Sequence, residues 1–193
     1  MTVDSLVTEL LRMRDIFRSA EGSGVTFSGG EPLMQIDFVV AVANRLHVEG
    51  IHTAVETSGY ASRANYQKLV RAIDFIYQDI KHPDDIVHRR FTGVSNRSIL
   101  ENLELLKASK KPFVIRIPLI PTVNDTPETL AVVADKLTNT KNLQSVELLP
   151  YHGLSGGKYS LLGRQPSMIF PEKTFDAEVL EPFKDRNIPV RLL

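Results

Sequence analysis

Apolar residues recur along the chain at two periods that take turns, one helical and one strand-like. Val3, Leu6, Val7, Leu10, Met13 and Phe17 fall at helical spacing, with Thr2 placed to cap that helix. Val25 to Phe27 predicts a strand that runs through Ser28 into a tight turn, Gly29-Gly30-Glu31-Pro32. A helix from near Gln35 follows, with Phe38, Val39, Val42 and Leu46 on one face and Gly50 as its stop. The alternation Ile51, Thr53, Val55 predicts a strand that delivers Glu56-Thr57-Ser58-Gly59. A helix near 62–72 precedes the apolar run Ile73 to Tyr77, which ends in Gln78-Asp79-Ile80-Lys81. A short helical piece over 84–90 leads to a stronger helix marked by Ile99, Leu103 and Leu106, capped near Ser95 or Asn96. Phe113 to Ile120 is the next strand and carries Arg116. Thr126-Pro127-Glu128 opens a helix that continues through Leu130, Val133 and Leu137. Val146 to Pro150 predicts a strand, followed by a Gly-rich loop over 152–163. The tail offers a helix near 172–184 and a last strand, Ile188 to Leu192.

Strand and helix thus alternate about five times, and the strands read as apolar enough to be buried on both faces. That pattern predicts an α/β fold with a parallel sheet and right-handed crossovers. Periodicity alone leaves a partial barrel and an open doubly wound sheet both standing. No repeat, low-complexity segment or linker divides the chain, so residues 1–193 read as a single domain.

Composition narrows the function classes. The 23 basic and 23 acidic side chains cancel, which removes the electrostatic case for nucleic acid or an anionic membrane. No apolar run reaches the roughly 20 residues of a membrane span. Met1 is followed by no basic and apolar leader, so the expected compartment is the cytoplasm. There is no cysteine, which excludes disulfides, thiolate catalysis and a thiolate-held iron–sulfur cluster within this chain. The histidines (His47, His52, His82, His88, His152) show no HExxH or similar metal spacing.

The predicted strands end in polar groups: Glu31, then Glu56 and Thr57, then Asp79 and Lys81, with Arg116 inside the fourth strand and His152 after the fifth. In a parallel barrel such ends converge on one mouth. Each group alone is more often plain surface; five in succession suggest a common rim.

The string GVTFSGGEPLMQ (24–35) resembles the motif with which radical S-adenosylmethionine (SAM) enzymes hold the amino group of SAM. Its form most resembles that of activating enzymes of glycyl radical enzymes, the pyruvate formate-lyase activating enzyme family. VETSGYA (55–61), QDIKHPD (78–84), FTGVSNRSILENLELL (91–106) with IRIPLIPTVND (115–125), and ELLPYHGLSGGKYSLLGR (147–164) follow in the family's order. The resemblance implies a partial (β/α) barrel of the radical SAM type, here without its first strand and cluster loop, because the family's CxxxCxxC motif would precede residue 1. A complete member uses a reduced 4Fe–4S cluster to cleave SAM to methionine and a 5′-deoxyadenosyl radical. That radical takes a hydrogen from a glycine of a partner glycyl radical enzyme, with flavodoxin or ferredoxin as electron donor.

The resemblance also implies a set of site residues. Ser28, Gly29, Gly30 and Glu31 would meet the SAM ammonium, and Lys81 its carboxylate. Asp79, Thr57, Arg116 and His152 would complete the cofactor site, His152 near the nucleoside. Glu56, Thr57 and Asp79 would surround a monovalent cation. Without cysteines the chain is expected to bind SAM but to be inactive alone. Two alternatives remain: a cysteine-free SAM- or partner-binding module, and a non-radical (β/α)-barrel lyase using Lys81 as a Schiff-base amine. The edge of the first strand can stay wet, be covered by the tail, Ile188 to Leu192, or pair with another molecule, and self-association is the expected outcome.

Overall fold

Six strands pair side by side in the order in which the chain makes them. A computed structural model describes residues 1–18, 23–151 and 170–193. Its strands are β1 (Gly24–Phe27), β2 (His52–Thr57), β3 (Phe75–Asp79), β4 (Phe113–Leu119), β5 (Leu143–Pro150) and β6 (Val190–Leu192). Every neighbouring pair is parallel. Helices α1 (Val3–Leu11) and α2 (Arg14–Arg18) precede β1. A 3-10 turn (Pro32–Gln35) and α3 (Ile36–Val48) join β1 to β2, and α4 (Arg63–Ala72) joins β2 to β3. The next crossovers are α5 (Asp85–Thr92) with α6 (Arg97–Ala108), and α7 (Pro127–Leu137). A 3-10 turn (Ala177–Leu180) and α8 (Glu181–Lys184) lead into β6.

The consecutive order has a geometric consequence. Parallel crossovers of one hand, each advancing in the same direction, put their helices on one face of the sheet. On that face Val55, Ile76, Ile115 and Val146 are fully buried against Leu69, Leu103 and Leu130 of the helices. Burying a side chain of this kind contributes about 1.5–3 kcal/mol. Side chains alternate along each strand, so the intervening positions point the other way. There the register brings Glu56 beside Tyr77 and Arg116 between Asp79 and Glu147, with Arg191 next to Glu147. The expectation of strands apolar on both faces is therefore corrected: the other face, helix-free among the described residues, carries a row of charged and aromatic groups.

Local signals account for most element ends. Thr2 caps α1 through a reciprocal pair with Ser5, and Thr126 caps α7 by accepting from the N–H of Thr129. Gly50 ends α3 with φ +71°. The helix expected near 172–184 is instead a 3-10 turn and one α turn, because Pro182 has no N–H to continue a longer helix. The tail strand is β6, bonded to β5 and not to β1, so it does not cover the β1 edge. Among the described residues, no helix is long and apolar enough to cross a membrane.

Candidate functional site

The turn after β1 is built to open the backbone. Gly29 has φ +102°, a conformation closed to most side chains, and a Cβ added at Gly29 or Gly30 would meet nothing within 4 Å. The carboxylate of Glu31 turns back into the protein. It accepts from the N–H of Leu33 at 3.1 Å, the hydroxyl of Thr57 at 2.6 Å, and the N–H and hydroxyl of Ser58 at 2.9 and 2.5 Å. One side chain thus caps the 3-10 turn and ties the β1 mouth loop to the β2 loop.

On the helix-free face a chain of charge runs across the sheet. Arg116 of β4 reaches over β3, its guanidinium 4.1 Å from the centre of the Tyr77 ring, to donate from Nη1 to Glu56 of β2 at 2.6 Å. Its Nε donates the other way, to Glu147 of β5 at 2.8 Å. Glu147 also accepts from Arg191 of β6, and Ser28 donates to Glu56 at 2.7 Å. The Glu147 side chain is 1% exposed. Burial alone would raise its pKa, but the bonds from Arg191 and Arg116 outweigh this and hold it below the usual carboxylate range. The Ser28 and Arg116 bonds likewise lower Glu56.

Asp79 and Lys81 flank the end of β3 and pair with each other at 2.9 Å. Beside them lies a cleft of about 110 Å³, whose walls include Ser58, Tyr60, His88 and Thr92. It is smaller than the roughly 300–1,000 Å³ of a site that encloses a whole cofactor, so it can take one end of a ligand or an ion with water. A larger depression of about 590 Å³ lies between the α6–β4 and α7–β5 turns, at the opposite ends of the strands. It gathers lysines and surface amides, away from the strand-end groups.

Buried asparagines hold the mouth loops in place. Asn124 donates to the carbonyls of Lys81 and Pro118, each at 2.7 Å, and accepts from the N–H of Ile120. Asn102 holds Gly59 and Ala61, and Asn96 holds His82 and Pro83. Phe170 packs against Tyr151 and Phe91, with centroids 5.6 and 6.1 Å away, and Lys173 pairs with the buried Asp125 at 2.6 Å. The tail therefore lies over the ends of β4 and β5.

The sequence-predicted residues sort by face. Ser28, Glu56 and Arg116 are in direct contact, with Asp79 beside Arg116 in the strand register. Lys81 joins this group through Asp79, and Gly29 and Gly30 lie beside Ser28 at the mouth. Thr57, one residue past Glu56, points its hydroxyl to Glu31 and so does not join Glu56 and Asp79 by its side chain. His152 lies outside the described residues. Among the described residues, no three His, Asp or Glu side chains are grouped to hold a metal ion. Sequence reading missed Tyr77, Glu147 and Arg191. Their signal is a charged or phenolic residue at alternate positions of otherwise apolar strands.

The radical SAM superfamily model matches residues 1–133. The isethionate sulfite-lyase activating enzyme of Oleidesulfovibrio alaskensis is 40% identical over 182 residues, 93% of this chain and 57% of that protein. The pyruvate formate-lyase-activating enzyme of Staphylococcus epidermidis is 35% identical over 202 residues, all of this chain and 80% of its own length. The chain belongs to the radical SAM superfamily. Within it, the chain belongs with the glycyl radical enzyme activating enzymes. A solved domain of pyruvate-formate lyase-activating enzyme from Bacteroides vulgatus superposes with TM-score 0.73 at 29% identity, covering 89% of this chain and 99% of that one. The chain spans little more than half of the isethionate sulfite-lyase activating enzyme.

Radical SAM membership implies SAM and, in complete enzymes, a 4Fe–4S cluster. The two groups fit this chain differently. With no cysteine, its residues do not fit a cluster held by thiolates. SAM does fit the radical SAM mouth. The unobstructed Gly29-Gly30 backbone suits its ammonium. Beside it, Asp79 pairs with Lys81 and Glu56 with Arg116, so charged groups of both signs stand at the mouth.

Proposed function

We propose that this chain is the SAM-binding core of a glycyl radical enzyme activating enzyme. The observation that carries the reading is the gathering of Glu56, Asp79, Lys81 and Arg116 at the carboxyl end of one sheet face, next to the open Gly29-Gly30 backbone. In this reading the main-chain carbonyls of Gly29 and Gly30 accept from the SAM ammonium. Lys81 turns from Asp79 to the SAM carboxylate, and Asp79 accepts from hydroxyls or from a monovalent cation shared with Glu56. Thr57 contributes its carbonyl to that cation, since its hydroxyl is engaged by Glu31. His152, outside the described residues, is assigned to the nucleoside by the family resemblance alone. Bound SAM supplies the adenosyl group on which the family's chemistry depends.

The complete enzyme would act in the cytoplasm on a glycine of a partner glycyl radical enzyme, with flavodoxin or ferredoxin as donor. A Schiff-base lyase is the weaker reading. Lys81 is exposed and ion-paired, without the apolar enclosure that activates such an amine.

Titration calorimetry of the 193-residue chain with SAM tests the proposal. Binding in the micromolar range or weaker is expected. Lys81→Ala should weaken it by roughly ten- to a hundred-fold, the usual effect of losing a charged anchor. No heat with SAM, or unchanged affinity in Lys81→Ala, would overturn the site.

A further inference from the structure

Among the described residues, Arg116 is the one guanidinium placed over the middle of the helix-free face, and three partners fix it. Glu56 and Glu147 pull from opposite sides, while the guanidinium carbon sits 4.1 Å from the centre of the Tyr77 ring. Its Nη2 has no hydrogen-bond partner among the described residues. A guanidinium held by two carboxylates and a ring has lost most of the freedom that a long side chain would otherwise surrender on binding.

Glu147 is the less obvious half of this arrangement. A carboxylate exposed by 1% and served by Arg116 alone would draw that guanidinium toward β5 and away from Glu56. Arg191, on the edge strand, supplies a second cation to the same carboxylate. With two acids and two guanidiniums the row is neutral, and Arg116 stays shared between both sides.

We infer that Glu147 and Arg191 are positioning residues for the SAM site, acting through Arg116, which they hold centred between β2 and β5 with its free edge available to the ligand. The inference rests on the SAM reading above. It differs from a plain effect of net charge, and the difference can be measured. SAM carries a net positive charge, whereas S-adenosylhomocysteine has lost the sulfonium and is neutral overall.

Arg191→Ala is the informative variant, because residue 191 sits on the partly exposed edge strand and its loss should spare the core. Calorimetry with both ligands should give weaker binding of each, by about three- to tenfold. If the row acted only through charge, Arg191→Ala would bind SAM more tightly and leave S-adenosylhomocysteine unchanged; that result overturns the inference. Arg191→Lys should recover part of the loss. Glu147→Gln should weaken both ligands by similar factors, and should cost nothing further when Arg116→Ala is already present. A full additional loss in that background would also overturn it. Thermal unfolding of each variant identifies any that fails to fold, in which case the Arg191 pair decides. If the unaltered chain binds neither ligand, the SAM reading itself fails. If it binds both and Arg191→Ala binds them equally well, only the positioning role fails.

Discussion

Glu31 accepts two hydrogen bonds from Ser58, one from its main-chain N–H at 2.9 Å and one from its hydroxyl at 2.5 Å. The acid of the Gly-Gly-Glu turn is thus a clasp between two mouth loops. Gln at this position keeps the size but offers an amide N–H₂ where the protein supplies donors. Glu31→Gln is expected to lower stability by about 1.5–3 kcal/mol, the range for bonds to a charged group. Urea unfolding should show a lower midpoint with an unchanged slope. An unchanged midpoint would mean that the clasp contributes nothing.

Two glycines with nearly the same backbone separate strain from collision. Gly50 and Gly59 have φ of +71° and +72°. A Cβ at Gly50 meets open space, whereas one at Gly59 comes within 2.9 Å of the buried Gln78 amide. Gly50→Ala should cost about 1–2 kcal/mol from the left-handed conformation alone. Gly59→Ala should cost more, since it also displaces Gln78 from Tyr66 and from the Ile99 carbonyl. Equal losses in denaturant titrations would argue against the close packing at Gly59.

Asp74 ties the start of β3 to β2. Burial acts to raise its pKa, but the N–H and hydroxyl of Thr53 and the ring of His47 outweigh this and lower it from 3.8. The unfolded chain therefore takes up the proton first as the solution is acidified. The stabilisation is complete above the unfolded value and is lost as pH falls through the folded one. Asp74→Asn should cost about 1–2 kcal/mol at neutral pH. It should also flatten the decline in stability below about pH 4. Parallel stability–pH curves for the two proteins would refute this.

Thr140 presents the opposite case. Its Oγ1 is buried with no hydrogen-bond partner among the described residues. Replacing an unpaired hydroxyl by a methyl of similar shape removes a desolvation penalty. Thr140→Val should therefore raise stability by up to about 1 kcal/mol, seen as a higher melting temperature. A clear loss would imply that the hydroxyl is paired in solution.

The succession of strands and helices along the chain and the polar groups at the strand ends were legible because period and turn chemistry are local. Thr2, Gly50, Thr126 and the Gly29-Gly30 turn each announce an element boundary by their own stereochemistry. Which face of a strand meets helices is not local. Glu147 reads as an interruption of Val146-Glu147-Leu148 until the register sets it between Arg116 and Arg191. Asn96, Asn102 and Asn124 were likewise hidden, since an amide that braces a loop 13 to 43 residues away leaves no periodic trace. Arg116 and Glu56 were visible as site residues, but their bond across 60 positions was not.

The strand order also bears on how the molecule comes to be. Among the described residues, no ladder joins strands from opposite ends of the chain, because each strand bonds only to the one made just before it and the one made just after. Loop-closure entropy grows slowly with length, so each pairing meets a similar and moderate penalty. Folding can then advance as a front, one strand and one crossover at a time, each unit docking on an edge already in place. Such a front always exposes one growing edge, and a growing edge is also a template for a neighbouring chain. Refolding yield should therefore fall with protein concentration even where the native state is stable.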